Sequence, residues 1–264
     1  MKPKNKQVDI QNSRQPEEQI IQVHSIETFG THDGPGIRLV VFTQGCLFAC
    51  AYCHNPDSRF LVSPSAKQYS VAQIIKQLEK QKPYFGKEGG LTISGGEPTV
   101  QADAILELIK QSQSAGFHTA LDTCGAIFSK KVTKIYDYVD LVMLDVKHIN
   151  PEWHKKLTGQ DNKTVLQNAE YREKTGKPLW LRYVLVPGWT DQPEYLHEWG
   201  KTFANYKTLQ KVEILPYHLL GVHKYKMLGI PYKLEGVPAA TKKDTAAAQK
   251  IFSQYFDPAI IEVK

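Results

Sequence analysis

Cysteine is scarce in this sequence: four among 264 residues, at positions 46, 50, 53 and 124. So few thiols cannot make the disulfide framework of a small secreted domain, and a chain of this length has core enough to fold without one. No apolar run nears the ~18 residues of a membrane-spanning helix. Residues 1–19 are polar and hold no apolar stretch of the kind that directs export, so they read as a flexible leader before a domain spanning 20–264. Strong charge bias is missing as well. The net charge is +6, with no dense basic stripe and no nucleic-acid-binding module. The small excess gathers at the end: ten lysines stand against five acids between Lys201 and Lys264. That is either a solvated lysine surface or a face for an acidic partner protein. With 41% hydrophobic and 23% charged residues, the expectation is a globular cytoplasmic protein, a monomer by default, that binds neither membrane nor nucleic acid.

After residue 20, strand and helix patterns alternate. Arg38–Gln44 is apolar and β-branched and reads as a strand. Ser70 and Gln73 form a capping box that starts a helix over Ser70–Lys82. Further strands are expected at Leu91–Ser94, His118–Thr123, Leu141–Lys147, Leu179–Val186 and Val212–Leu215. Helices are expected from Pro98 to Gly116, over Ser129–Tyr138, from Asn150-Pro151, and over Lys163–Thr175, Pro193–Tyr206 and Thr241–Tyr255. About six β/α units imply an α/β fold with a mostly parallel sheet. Six are too few for an eight-unit closed barrel, so a single-domain partial (β/α)6 barrel is expected. In such sheets chemistry gathers at the carboxyl ends of the strands. Gly95-Gly96-Glu97, Asp122-Thr123, Asp145, Lys147 and His218 all fall there.

Three of the four cysteines sit together as C-x3-C-x2-C, directly after the first of these strands. A loop of this length can bring three thiolates to one metal centre. A cubane 4Fe–4S cluster normally takes four, so three would leave one iron open to a substrate. Two other readings share the residues. Cys50-Ala51-Tyr52-Cys53-His54 matches the c-type haem attachment pattern, although it leaves Cys46 unused. Cys46, Cys50, Cys53 and His54 could also hold zinc.

The cysteine loop, with Tyr52 before its third cysteine, and Gly95-Gly96-Glu97 together resemble the radical S-adenosylmethionine (SAM) superfamily. Within it the chain is similar to the pyruvate formate-lyase activating enzymes. That likeness rests on residues 30–38 (GTHDGPGIR), 44–46 (QGC), 52–55 (YCHN), 141–147 (LVMLDVK), 182–189 (RYVLVPGW) and 215–218 (LPYH). It runs from about Val23 to the end.

The resemblance implies a partial barrel of the radical SAM type and the following roles. Cys46, Cys50 and Cys53 would ligate three irons of a 4Fe–4S cluster, and SAM would bind the fourth. Tyr52, His54, Gly95, Gly96, Glu97, Asp145, Val146, Lys147 and His218 would surround SAM, with Arg182 at the same mouth. Asp122, Thr123, Met143 and Asp145 would hold a monovalent cation. Asp33 would lie near the incoming peptide glycine. An electron from flavodoxin or ferredoxin would drive cleavage of SAM, and the resulting radical would take a hydrogen from a backbone glycine of pyruvate formate-lyase. Cys124 stands where the family has asparagine and reads as a packing residue. Ser70 follows Cys53 by seventeen positions with no cysteine between them. This leaves no place after the motif for the second cluster domain of other glycyl-radical activases.

Overall fold

Apolar runs form the central strands, and side-chain caps start four of the helices. The computed structural model describes residues 18–264; the leader expected at 1–19 lies almost wholly outside them. The chain begins with β1 (Ile20–Gly30), β2 (Arg38–Thr43) and β3 (Lys67–Ser70). It continues with α1 (Val71–Gln81), β4 (Gly90–Gly95), α2 (Ala102–Ser114), β5 (His118–Thr123), α3 (Lys130–Tyr138) and β6 (Leu141–Asp145). Next come α4 (Pro151–Thr158), α5 (Lys163–Lys174), β7 (Leu179–Leu185), α6 (Pro193–Phe203) and β8 (Leu209–Pro216). Finally there are α7 (Val222–Met227), α8 (Lys242–Phe252) and β9 (Ile261–Val263).

The caps act as the sequence suggests. Ser70 Oγ accepts from the Gln73 amide at 3.3 Å while Gln73 accepts from the Ser70 amide at 2.9 Å, so two otherwise unpaired amides at the start of α1 are satisfied. Asn150 accepts from the amides of Glu152 and Trp153 at the start of α4. Thr241 and Asp244 close a second box at α8.

All nine strands join one sheet in the order β3-β1-β2-β4-β5-β6-β7-β8-β9. From β2 to β9 every neighbouring pair is parallel; β1 and β3 pair antiparallel on one side. The six expected strands are therefore β2 and β4–β8, in the expected order. The structure adds β1, β3 and β9, which the periodicity did not mark. β1 buries only Ile21, Val23 and Gly30 of its eleven residues, so it shows no clean alternation. β3 and β9 are four and three residues long, and α7 is a six-residue helix between Gly221 and Gly229 that was missed likewise. The strand expected to reach Lys147 ends at Asp145.

The two faces of the sheet divide the labour. Leu121, Val142, Leu144 and Leu181 pack outward in the main core with the covering helices. Ala120, Leu141, Met143 and Trp180 form a separate apolar layer on the other face. The period of two places Asp122, Asp145 and Arg182 on that same inner face, one pleat nearer the carboxyl ends. The sheet curls. Lys264 Nζ, just past β9, donates to the His32 carbonyl, just past β1, at 2.9 Å, so the far strands come within reach across the opening of a partial barrel.

Trp199 on α6 is the centre of the outer core here. Its ring lies 4.8–5.8 Å from those of Tyr183, Phe203, Phe252 and Phe256, and it is fully buried. Trp199→Ala should lower the unfolding free energy by about 3–5 kcal/mol, the usual cost of emptying such a site; a chemical denaturation curve measures it.

Candidate active site

The cysteine loop leaves β2 at Thr43 and is held by hydrogen bonds on two sides. Gly45 and Cys46 donate their amides to the carbonyls of Ser58 and Arg59 at 2.8 and 3.0 Å. Ala49 and Ala51 donate to Thr158 and Leu157, at 2.7 and 2.8 Å, and so satisfy carbonyls at the end of α4 that have no partner within the helix. The Gln44 side chain adds bonds to the carbonyls of Asp57 and Phe60.

This loop roofs a cavity of about 280 Å³ at the carboxyl ends of β4–β8. Cys46, Cys50, Cys53, Tyr52, His54, Gly95, Gly96, Asp122, Thr123, Asp145, Lys147 and Arg182 all line it. The structure thus brings together most of the residues singled out from the sequence. Five others stand apart. His218 is one layer back, its ring 4.1 Å from that of His54. Glu97 lies beneath the wall, fully buried. Val146 points into the outer core, and its amide and carbonyl are taken by Arg182 and Trp199. Met143 is buried in the inner apolar layer. Asp33 lies in the loop between β1 and β2, where its carbonyl accepts from Thr92 Oγ1 at 2.6 Å.

Strand register aligns the charges. Asp145 pairs with Arg182 and Arg182 with Glu213 across β6, β7 and β8. The Arg182 guanidinium lies 2.9 Å from Asp122 and 2.6 Å from Glu213. Lys147 Nζ donates to Asp145 at 2.9 Å and stands 5.5 Å from the centre of the Tyr52 ring. Burial alone would lower the pKa of Arg182, but Asp122 and Glu213 overcome it and hold the group charged. Lys147 behaves the same way: burial opposes its charge and Asp145 restores it. Burial pushes the Asp122 carboxyl up to about 6, against the pull of Arg182. Glu213 was not picked out from the sequence, although an acid inside the apolar run Val212–Leu215 was a signal for an interior charge. Ser94, which donates to Asp122 at 2.8 Å, gave no such signal.

The two glycines of the Gly-Gly-Glu turn are required by the packing of the chain against itself. A Cβ on Gly96 would fall 2.2 Å from the Gly45 carbonyl oxygen, and one on Gly95 2.2 Å from the Thr43 amide nitrogen. The turn packs backbone to backbone against the start of the cysteine loop. Glu97 fastens it. Its amide donates to the Gly45 carbonyl at 2.7 Å. Its carboxylate accepts from the amide and hydroxyl of Thr99, the hydroxyl of Thr123, and the amide and thiol of Cys124, all within 3.0 Å. Cys124 is buried, as a packing residue would be, yet it also reaches the cavity wall.

The residues present fit an iron–sulfur cluster. All four cysteines are free thiols. Burial pushes the Cys50 thiol up to about 12 and raises Cys53 as well, whereas a hydrogen bond with Cys124 lowers Cys46. The buried Tyr52 hydroxyl lacks a hydrogen-bond partner and belongs to a residue of the cavity wall, so a polar ligand has a group to satisfy. Among the described residues no three His, Cys, Asp or Glu side chains converge where one ion could sit. A lone zinc ion needs that convergence. A four-iron cluster does not, because each thiolate takes a different iron.

Comparison with known proteins decides the family. Residues 40–199 match the model of the radical SAM superfamily. The chain belongs to that superfamily. Among curated relatives, the pyruvate formate-lyase-activating enzyme of Streptococcus mutans is 45% identical over 235 residues, covering 87% of this chain and 89% of that protein. The enzyme of the same name from Listeria monocytogenes is 42% identical over 240 residues, covering 87% and 95%. Solved structures agree at the level of architecture. SuiB from Streptococcus suis superposes with a TM-score of 0.63 at 16% identity over 91% of this chain, which spans half of SuiB. A radical SAM methyltransferase from Sphaerobacter thermophilus gives 0.60 at 14% identity, over 86% of this chain and 66% of that one.

The Glu97 network carries a direct test. In Glu97→Gln an amide NH2 must face donors that now meet a carboxylate oxygen. The substitution should cost about 2–3 kcal/mol of stability, the range for losing a buried charged acceptor, as read by urea denaturation.

Proposed function

We propose that this chain activates pyruvate formate-lyase by making a glycyl radical on it. The observation that carries the reading is one wall of three free cysteines facing the Asp145–Lys147 pair across a cavity at the carboxyl ends of parallel strands. The similarity to named activating enzymes over most of the chain supports the choice of partner. When bound, a reduced 4Fe–4S cluster and SAM supply a 5′-deoxyadenosyl radical that takes a hydrogen atom from a backbone glycine.

The chain's own residues hold, orient and shield. Cys46, Cys50 and Cys53 would take three irons, leaving the fourth to the amino and carboxylate groups of SAM. Lys147, kept charged by Asp145, suits a carboxylate beside it. The Gly95-Gly96 backbone forms the adjoining wall, with Tyr52 and His54 on the cysteine side and His218 behind His54. Asp33, in a loop fixed by Thr92 and Arg182, would meet the incoming peptide. Burial in a low-dielectric site makes these charge pairs count for more than they would in water and excludes competing reactions.

A monovalent cation would be held by Asp122, Thr123, Met143 and Asp145, where Ser94, Arg182 and Lys147 engage Oδ2 of the two aspartates. No step is routed through a cation. The electron source in this reading is flavodoxin or ferredoxin, and the enzyme works as a monomer that docks transiently and binds no nucleic acid. A reducing cytoplasm suits free thiols. Among the described residues no helix is long and apolar enough to cross a membrane.

Anaerobic reconstitution with iron, sulfide, SAM and a reductant tests the proposal. Glycyl radical should form on pyruvate formate-lyase, seen by electron paramagnetic resonance, and Cys50→Ala should lose bound iron and SAM cleavage together. A Cys50→Ala protein that cleaves SAM at the normal rate would overturn the site; a radical on a different partner enzyme would overturn the substrate.

A further inference from the structure

α7 lies directly over the cysteine loop. The Tyr225 hydroxyl stands 3.5 Å from the Cys50 carbonyl, and Lys224 Nζ donates to Asn55 at 2.6 Å. Gly221 packs against His54 so closely that a Cβ there would lie 2.8 Å from the His54 Cα. The outer side of this layer is apolar and open. Leu220 is 75% exposed and Met227 81%. Beside them is a groove of about 470 Å³ walled by Leu219, Val222, Ile230 and Leu234. On the other flank of the loop, Leu61 and Val62 are exposed at 59% and 90%, and Leu61 rests against Gly45. Large apolar side chains bared around one loop mark an interaction surface. The segment 219–238 carries Lys224, Lys226 and Lys233 against one acid, Glu235, and Asp57 acts on Lys224 from the neighbouring loop.

The loop that carries Asp33 touches the cavity wall, where the His32 carbonyl accepts from Arg182, whereas α7 contacts the cysteine loop at the Cys50 carbonyl and Asn55. A partner on α7 reaches the cysteines from outside without crossing the cavity.

We propose that this face is the electron-entry surface, where a small acidic one-electron carrier docks with its acids on Lys226 and Lys233 and its apolar centre on Leu220 and Met227. The inference rests on the proposed function, since it needs a cluster at the three cysteines. In the step itself the reduced carrier loses one electron and the cluster gains it; no bond forms or breaks. The charge match raises the encounter rate and makes it sensitive to salt.

The test uses the reconstituted full chain with reduced flavodoxin as the probe and dithionite as a small reductant that needs no docking. Lys226→Glu and Lys233→Glu are combined in one variant. Lys130→Glu and Lys134→Glu on α3, with the same charge change on exposed residues elsewhere, form the control. The α7 variant should bind oxidised flavodoxin at least tenfold more weakly by calorimetry. It should also slow the bleaching of cluster absorbance by reduced flavodoxin at least tenfold at low salt. Reduction by dithionite, and lyase activation driven by it, should stay within twofold of the parent. Unchanged flavodoxin binding and reduction, or an equal loss in the α3 control, would overturn the proposal. So would a loss confined to dithionite-driven lyase activation, which would assign the face to the lyase. If the parent chain binds and accepts electrons from flavodoxin yet makes no glycyl radical, the proposed function fails while the docking surface stands.

Discussion

One buried carboxylate holds the site together. Glu97 joins three chain segments that are far apart in sequence: the cysteine loop through Gly45, the turn after β4 through Thr99, and the turn after β5 through Thr123 and Cys124. A carboxylate is costly to bury unless its lone pairs are filled. Here the donors come from its own turn and from the end of β5, so the carboxylate is satisfied only when those two meet, while the Glu97 backbone amide holds the cysteine loop. That makes it a cooperative fastening, and it explains why an acid follows two glycines whose absent side chains let the backbones touch.

The interior of the partial barrel then grades from apolar to charged along each strand. Ala120 gives way to Asp122 on β5, Met143 to Asp145 on β6, and Trp180 to Arg182 on β7. The apolar layer closes the floor, and the charged layer forms the cavity wall. Its charges are of both signs and paired, with Glu213 and Lys264 extending the row. Removing one partner would leave another buried charge uncompensated, which is why such rows are kept or lost as units.

Much of this was legible in the sequence because separate signals agreed. The caps at Ser70 and Asn150 fixed helix starts, and the strand expected over 118–123 is β5 with its true limits. The cysteine spacing and the Gly-Gly-Glu turn located the cavity. What escaped was set by tertiary contact. β1 is half exposed, and its pairing with β2 and β3 stabilises it more than its own pattern does. The role of Glu97 was misjudged for the same reason: a glutamate beside a glycine pair reads as a ligand contact, and only the fold shows its five donors. The glycines let the chain approach itself closely, which only the fold shows.

The ends of the sheet have a consequence for the molecule in company. An unpaired strand edge offers its amides and carbonyls to any other chain in solution. Here the outermost strands are four and three residues long, β3 carries Lys67, and β9 runs into Lys264, whose ammonium is turned back onto His32 and Glu213. Each edge therefore gives a tenth strand little to grip. A protein that must meet a large partner repeatedly, and release it, gains from having no adhesive border of its own.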